Sequence, residues 1–190
     1  MAWILSLIGL PVLIFSAYLY GDVWSIVSYS IFGISLVLLY GISTYYHRCQ
    51  TLHTKESLRI MDHICIYVLI AGSYSPFTLG PLREFSGWTL FGIEWAIVVI
   101  GAVLKVFAFD KTTTISLIAY LVMGWLIIFW WPALSQVIST TTLTLLIVGG
   151  LSYSLGVIFF LWENLPYNHA IWHLFVINGS ACHYCAVFLL

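Results

Sequence analysis

The chain has 190 residues, of which 62% are hydrophobic and 7% charged, with a formal net charge of -1. Water-soluble domains carry about 25% charged residues, so a soluble fold is excluded. A net charge this close to zero also offers no basic field for nucleic acid. A transmembrane barrel would alternate apolar and polar residues in strands of about ten, and no such alternation runs through the chain. What remains is an all-α integral membrane protein, because charged residues interrupt apolar runs near the roughly 20 residues that one helical span requires.

Seven spans follow in chain order, at about 2–20, 23–47, 60–79, 88–108, 113–131, 143–162 and 167–190, as a single membrane domain over residues 1–190. The first run has no basic leader and no small-residue cleavage site, so it reads as a retained helix rather than a signal peptide. Gly21-Asp22 makes the first turn, and Arg48 to Arg59, with His53, Lys55 and Glu56, reads as a solvated loop. Gly80-Pro81 ends the third span and Phe109-Asp110-Lys111-Thr112 turns the fourth into the fifth, which Pro132 closes. No internal repeat is visible.

Loop charge sets the orientation. Arg48, Lys55, Arg59, Lys105 and Lys111 fall on loops two-three and four-five, whereas the opposite side carries Arg83. The positive-inside rule therefore predicts a cytoplasmic N-terminus and an outer C-terminus, and makes loop six-seven cytoplasmic.

The chemistry gathers at that inner level. His169 and His173 open the last span four residues apart, and 3.6 residues per turn puts both on one face, the spacing of a two-pronged metal grip. Span two ends at the same level on Ser43-Thr44-Tyr45-Tyr46-His47, and span three begins there with Met61-Asp62-His63. Three imidazoles, His47, His169 and His173, leave one position of a tetrahedral zinc open for water, as catalytic rather than structural sites do. Zinc so held would favour hydrolysis, with Asp62 positioned to take a proton and Ser43 to add a supporting hydrogen bond. A single boundary histidine is ordinarily an interface anchor; the i,i+4 pair with a third histidine and an aspartate at one depth is what points to a metal.

The other polar groups fit less well. His63 is about 100° around the helix from Asp62, and His183 lies about 15 Å further along its helix than His173, too far to share a metal. Glu94 is an intramembrane carboxylate, for which a structural role and a functional one are both open. Cys49, Cys65, Cys182 and Cys185 say little about redox compartment, and Cys182 and Cys185 read as ordinary buried thiols of a hydrophobic helix, the Cys182-His183-Tyr184-Cys185 spacing notwithstanding.

These segments together, Ser43-Thr44-Tyr45-Tyr46-His47, then Met61 through Phe77, then Tyr120-Leu121-Val122-Met123-Gly124-Trp125, then Tyr167 through His173, resemble the bacterial haemolysin III family. That family belongs with the progestin and adiponectin receptors, seven-helix proteins related to alkaline ceramidases. The resemblance implies zinc on His47, His169 and His173 near the cytoplasmic side, Asp62 contacting the water on it, and Ser43 opening the SxxxH motif. It implies a multi-pass location in a bacterial inner membrane and a membrane lipid as partner, with no nucleic acid. Animal relatives are associated with ceramide or lipid-amide hydrolysis, and bacterial ones with lysis and membrane-fluidity homeostasis. Three functions are therefore open: a zinc-dependent hydrolase of lipid amides or esters in lipid homeostasis, a receptor-like sensor with a structural zinc, and a pore-forming cytolysin. Relatives carry a cytoplasmic segment before span one, whereas this sequence starts almost inside the bilayer.

Overall fold

A computed structural model describes residues 1–190, the side chain of Asp110 excepted. It is all helix among the described residues: α1 Ala2–Tyr20, α2 Val23–Arg48, α3 Leu52–Leu79, α4 Gly87–Ala108, α5 Thr113–Trp125, α6 Trp131–Val137, α7 Thr140–Leu161 and α8 Asn168–Phe188. Seven stretches are long and apolar enough to cross a membrane; the fifth, Thr113–Val137, is assembled from α5, a 3₁₀ segment Leu126–Trp130, and α6. The chain is an integral membrane protein with seven spans.

Two boundaries differ from those read in the sequence. Helix α3 begins at Leu52, so most of the polar stretch before Arg59 is helix rather than loop. Its charges suit a solvated helical turn, and burial of α3 becomes continuous only later, from Ala71 to Leu79. The fifth span does not close at Pro132. Proline cannot donate to the carbonyl four residues back and its ring crowds that turn, so an α-helix breaks there. The break takes 3₁₀ form, Trp131 donating instead to the Ile128 carbonyl, and α6 then carries the span on to Val137.

The chain divides into two compact units, residues 1–123 and 124–190. In the first, α1 packs on α2, α2 on α3 and α3 on α4. Helix α2 starts on a reciprocal cap, in which Asp22 accepts from the Ser25 amide and the Asp22 amide donates to the Ser25 hydroxyl. Such a cap satisfies amides that a helix start leaves without partners. The buried face of α2 recurs every three or four residues, through Ser28, Phe32, Leu36, Leu39 and Ser43. A core of Tyr67, Ala71, Val98, Tyr120 and Met123 fills the space beside α3 and α4. Here the Tyr74 hydroxyl donates to the Met123 carbonyl at 2.7 Å, satisfying a backbone acceptor just before span five breaks.

The second unit is an α7–α8 hairpin closed by polar contacts rather than by apolar packing alone. Ser152 donates to the Phe175 carbonyl, Asn178 donates to the Ser152 hydroxyl, and the Tyr153 and Ser180 hydroxyls meet at 2.9 Å. In hydrocarbon, lipid tails pack against helices as well as helices pack together, so small residues and interhelical hydrogen bonds are what hold a hairpin.

Candidate metal centre

In the second unit, Pro166 and Tyr167 precede α8, and Tyr167 takes the left-handed conformation, φ 61°. An aromatic residue adopts that conformation only where its surroundings enforce it, and such strain concentrates at functional sites. The sequence gives no sign of this feature, since a glycine or asparagine would be its usual marker. The turn starts α8 so that His169 and His173 fall within its first two turns.

Their Nε2 atoms lie 3.1 Å apart and their rings stand at 84° to one another. Phe160 of α7 borders His169 and Trp172, and Phe159 stacks on Phe175 at 5.0 Å. The aromatic wall holds the first turns of α8 against α7 and restricts how the imidazoles can turn. Two nitrogens bound to one tetrahedral zinc at 2.0–2.1 Å would be about 3.3 Å apart. The pair as folded is close to that spacing, so it fits a metal with little movement.

In the first unit, Ser43 and His47 sit one turn apart at the C-terminal end of α2, Ser43 buried and His47 exposed. Asp62 lies half-buried on α3, with the Ser43 hydroxyl near its carboxylate. The structure thus brings together two residues that the sequence places nineteen positions apart. His63, next in sequence, turns elsewhere: its ring meets Phe109 edge-on at 4.9 Å and its carbonyl accepts from the Tyr120 hydroxyl. Arg59 and Lys105 also lie over the Phe109 ring, at 4.4 and 4.6 Å, so His63 belongs to a separate basic and aromatic cluster.

Three histidines could hold a metal ion: His47, His169 and His173, each offering one ring nitrogen. His183, by contrast, packs inside the second unit against Tyr153, with Nε2 3.4 Å from the Leu146 carbonyl. Glu94 is fully buried on the face of α4 that also carries Leu90, Val98, Gly101 and Lys105. All four cysteines are free, but Cys182 is only half-buried and Cys185 is exposed, whereas the sequence reads both as buried.

The family model described as "Haemolysin-III related" matches residues 1–184. The chain belongs to the haemolysin-III related family. It is 46% identical over 186 residues to a "Hemolysin-3 homolog" of Bacillus subtilis (strain 168), covering 97% of this chain and 87% of that protein. Identity to "Hemolysin-3" of Bacillus cereus is 42%, covering 97% and 85%. The human "Monocyte to macrophage differentiation factor" is 34% identical over 192 residues, covering 93% of this chain and 77% of its own. No solved structure matches. The mammalian match supports the wider superfamily of progestin and adiponectin receptors, and the Bacillus matches place this haemolysin-III related chain with bacterial multi-pass membrane proteins.

Proposed function

We propose that this protein binds zinc through His47, His169 and His173, and uses Asp62 to hydrolyse an amide or ester bond of a membrane lipid. The observation that carries the reading is the His169–His173 pair, whose 3.1 Å separation of Nε2 atoms suits two ligands of one metal. Imidazole donors suit zinc among the transition metals, and three of them leave a coordination position open. Bound zinc would supply Lewis acidity toward a lipid carbonyl.

The chain's own groups supply the rest. A carboxylate oxygen of Asp62 takes the proton of the attacking water and returns it to the departing nitrogen or oxygen, giving a carboxylic acid and an amine or alcohol. The Ser43 hydroxyl, near that carboxylate, would orient it. The excess of Lys and Arg on loops two-three and four-five supports a cytoplasmic site, with the N-terminus inside.

Purified protein, its Asp62→Asn variant and its His169→Ala variant should be compared for bound metal and for hydrolysis of a panel of lipid amides and esters. The expected result is about one zinc per chain in wild type and Asp62→Asn, little in His169→Ala, and turnover in wild type alone. A zinc-loaded wild type that hydrolyses nothing would leave a structural metal in a sensor. Dye release from lipid vesicles at the same protein concentration would instead indicate membrane lysis.

A further inference from the structure

Glu94 is a carboxyl inside span four that the proposed hydrolysis does not use. Seven residues separate it from Gly87 and fourteen from Ala108, so by helix rise it lies about 10 Å from one end of α4 and about 21 Å from the other. In a hydrocarbon layer about 30 Å thick, that is well inside. The side chain is fully buried, and among the described residues neither carboxyl oxygen has a hydrogen-bond partner.

An ionised carboxylate at that depth needs a cation beside it. No lysine or arginine of the chain serves. Arg83 is engaged by Asp22 at 2.9 Å and lies 3.8 Å from Glu84. Lys105 is eleven residues along α4, about 16 Å by helix rise, and lies with Arg59 over the Phe109 ring. Arg48 and Lys55 flank the start of α3 and Lys111 follows α4, all at that same far end. Residues 124–190 contain no lysine or arginine at all.

The polar groups that α3 turns toward α4 are committed elsewhere. Gly101 abuts the Tyr67 ring and Gly87 the Thr78 carbonyl, an antiparallel register that sets Glu94 about opposite Tyr74. The Tyr74 hydroxyl donates to the Met123 carbonyl at 2.7 Å. Trp95, next in sequence, has its own Nε1 buried without a partner, so the indole does not bond the carboxyl either.

Polar side chains are kept in membrane helices because they bond a neighbouring helix or because they act. Glu94 bonds no helix, so it costs stability without holding the fold. Acceptor oxygens that meet no cation take a proton, and an acid O–H that no acceptor holds is free to exchange it. We infer that Glu94 is a proton-binding site within the membrane, a carboxylic acid that exchanges its proton and reacts with apolar carboxyl reagents. The site is separate from the proposed metal centre and draws on none of its residues.

Full-length protein in phosphatidylcholine vesicles near neutral pH would be treated with dicyclohexylcarbodiimide, and in parallel with a charged, water-soluble carbodiimide. A carboxylic acid adds its O–H across the carbodiimide, and the adduct rearranges to a stable N-acylurea that keeps every atom of both. Peptide mapping by mass spectrometry should find that adduct on Glu94 with the apolar reagent, and lose it with the charged one and in Glu94→Gln. Infrared spectra should show a protonated carboxyl band that shifts in heavy water and is lost in Glu94→Gln. Glu94→Met, of similar size and apolar, should melt at or above wild type, because the buried acid contributes no bond. Absence of both the adduct and the exchanging band, equal labelling of Glu94 by the two reagents, or melting of both Glu94→Met and Glu94→Gln well below wild type would each overturn the proton site.

Discussion

Arg83 Nη1 donates to Asp22 Oδ2 at 2.9 Å, joining the turn between α1 and α2 to the turn between α3 and α4 across 61 residues of sequence. The contact requires both turns to lie at one end of the first unit, as an up-and-down order of spans demands. Asp22 also accepts from the Ser25 amide, and these hydrogen bonds and the guanidinium hold its carboxyl at about 2, below the ordinary 3.8. The folded state therefore favours the ionised form. The stability it supplies is fully present above about pH 4 and lost as pH falls toward 2. Asp22→Asn should lower the melting temperature in detergent at pH 6, and the gap from wild type should close between pH 4 and 2. Asp22→Ala should cost about 1 kcal/mol, mostly through the cap. Because half of the Asp22 side chain is exposed, the ion pair adds only a few tenths, screened by salt.

His183 of α8 packs over Gly149 of α7. A Cβ on Gly149 would come within 2.3 Å of the imidazole Cδ2, so the ring occupies the space the glycine leaves. Gly149→Ala must displace a buried ring that touches Tyr153 and the Leu146 carbonyl, at a cost of about 1–3 kcal/mol. Combining Gly149→Ala with His183→Ala should cost less than the sum of the two single changes, as expected of residues in contact. Thermal unfolding of the four proteins measures the coupling; strict additivity would remove His183 from its seat on Gly149.

Much of this was legible in the sequence and some was not, for identifiable reasons. The seven spans and the shared face of His169 and His173 follow from apolar run length and helical period, which are local properties. The break in span five followed from Pro132, yet the sequence suggested a stop there, because proline alone does not say whether apolar residues beyond it rejoin the bilayer. Charges at Lys55, Glu56 and Arg59 disguised the start of α3, since a solvated helical turn and a loop have the same composition. The nearness of Ser43 to Asp62 was accessible through depth alone, whereas Arg83–Asp22 depends on which turns adjoin. The left-handed Tyr167 had no signal in its residue type.

The α3–α4 turn separates two effects of glycine within two residues. Ser86 sits at φ 63°, where a side chain is strained and glycine is not, so Ser86→Gly should be neutral or stabilising by up to about 1 kcal/mol. Gly87 has an ordinary φ, but a Cβ there would lie 2.1 Å from the Thr78 carbonyl oxygen and 2.6 Å from that of Leu82. Backbone cannot swing aside as a side chain can. Gly87→Ala should therefore destabilise by more than Gly149→Ala does. Melting temperatures of Ser86→Gly and Gly87→Ala, measured side by side, should move in opposite directions or differ by several degrees.

The proposed metal set makes a sharp distinction between neighbouring histidines. His63 adjoins Asp62 in sequence, but its ring lies against Phe109 and its backbone carbonyl holds Tyr120. His169 has its Nε2 beside that of His173. On the proposed ligand set, His63→Ala keeps its metal while losing an aromatic contact of about 0.5–1.5 kcal/mol. His47→Ala, His169→Ala and His173→Ala each lose it, because removing one of three ligands leaves two imidazoles for a cation that takes four donors. Chelation of wild type should lower its melting temperature toward that of His169→Ala, and should leave His169→Ala itself where it was. Metal content by mass spectrometry and the two melting curves decide the matter together. Retention of a full equivalent of metal by His169→Ala, or its loss from His63→Ala, would move the centre away from α8.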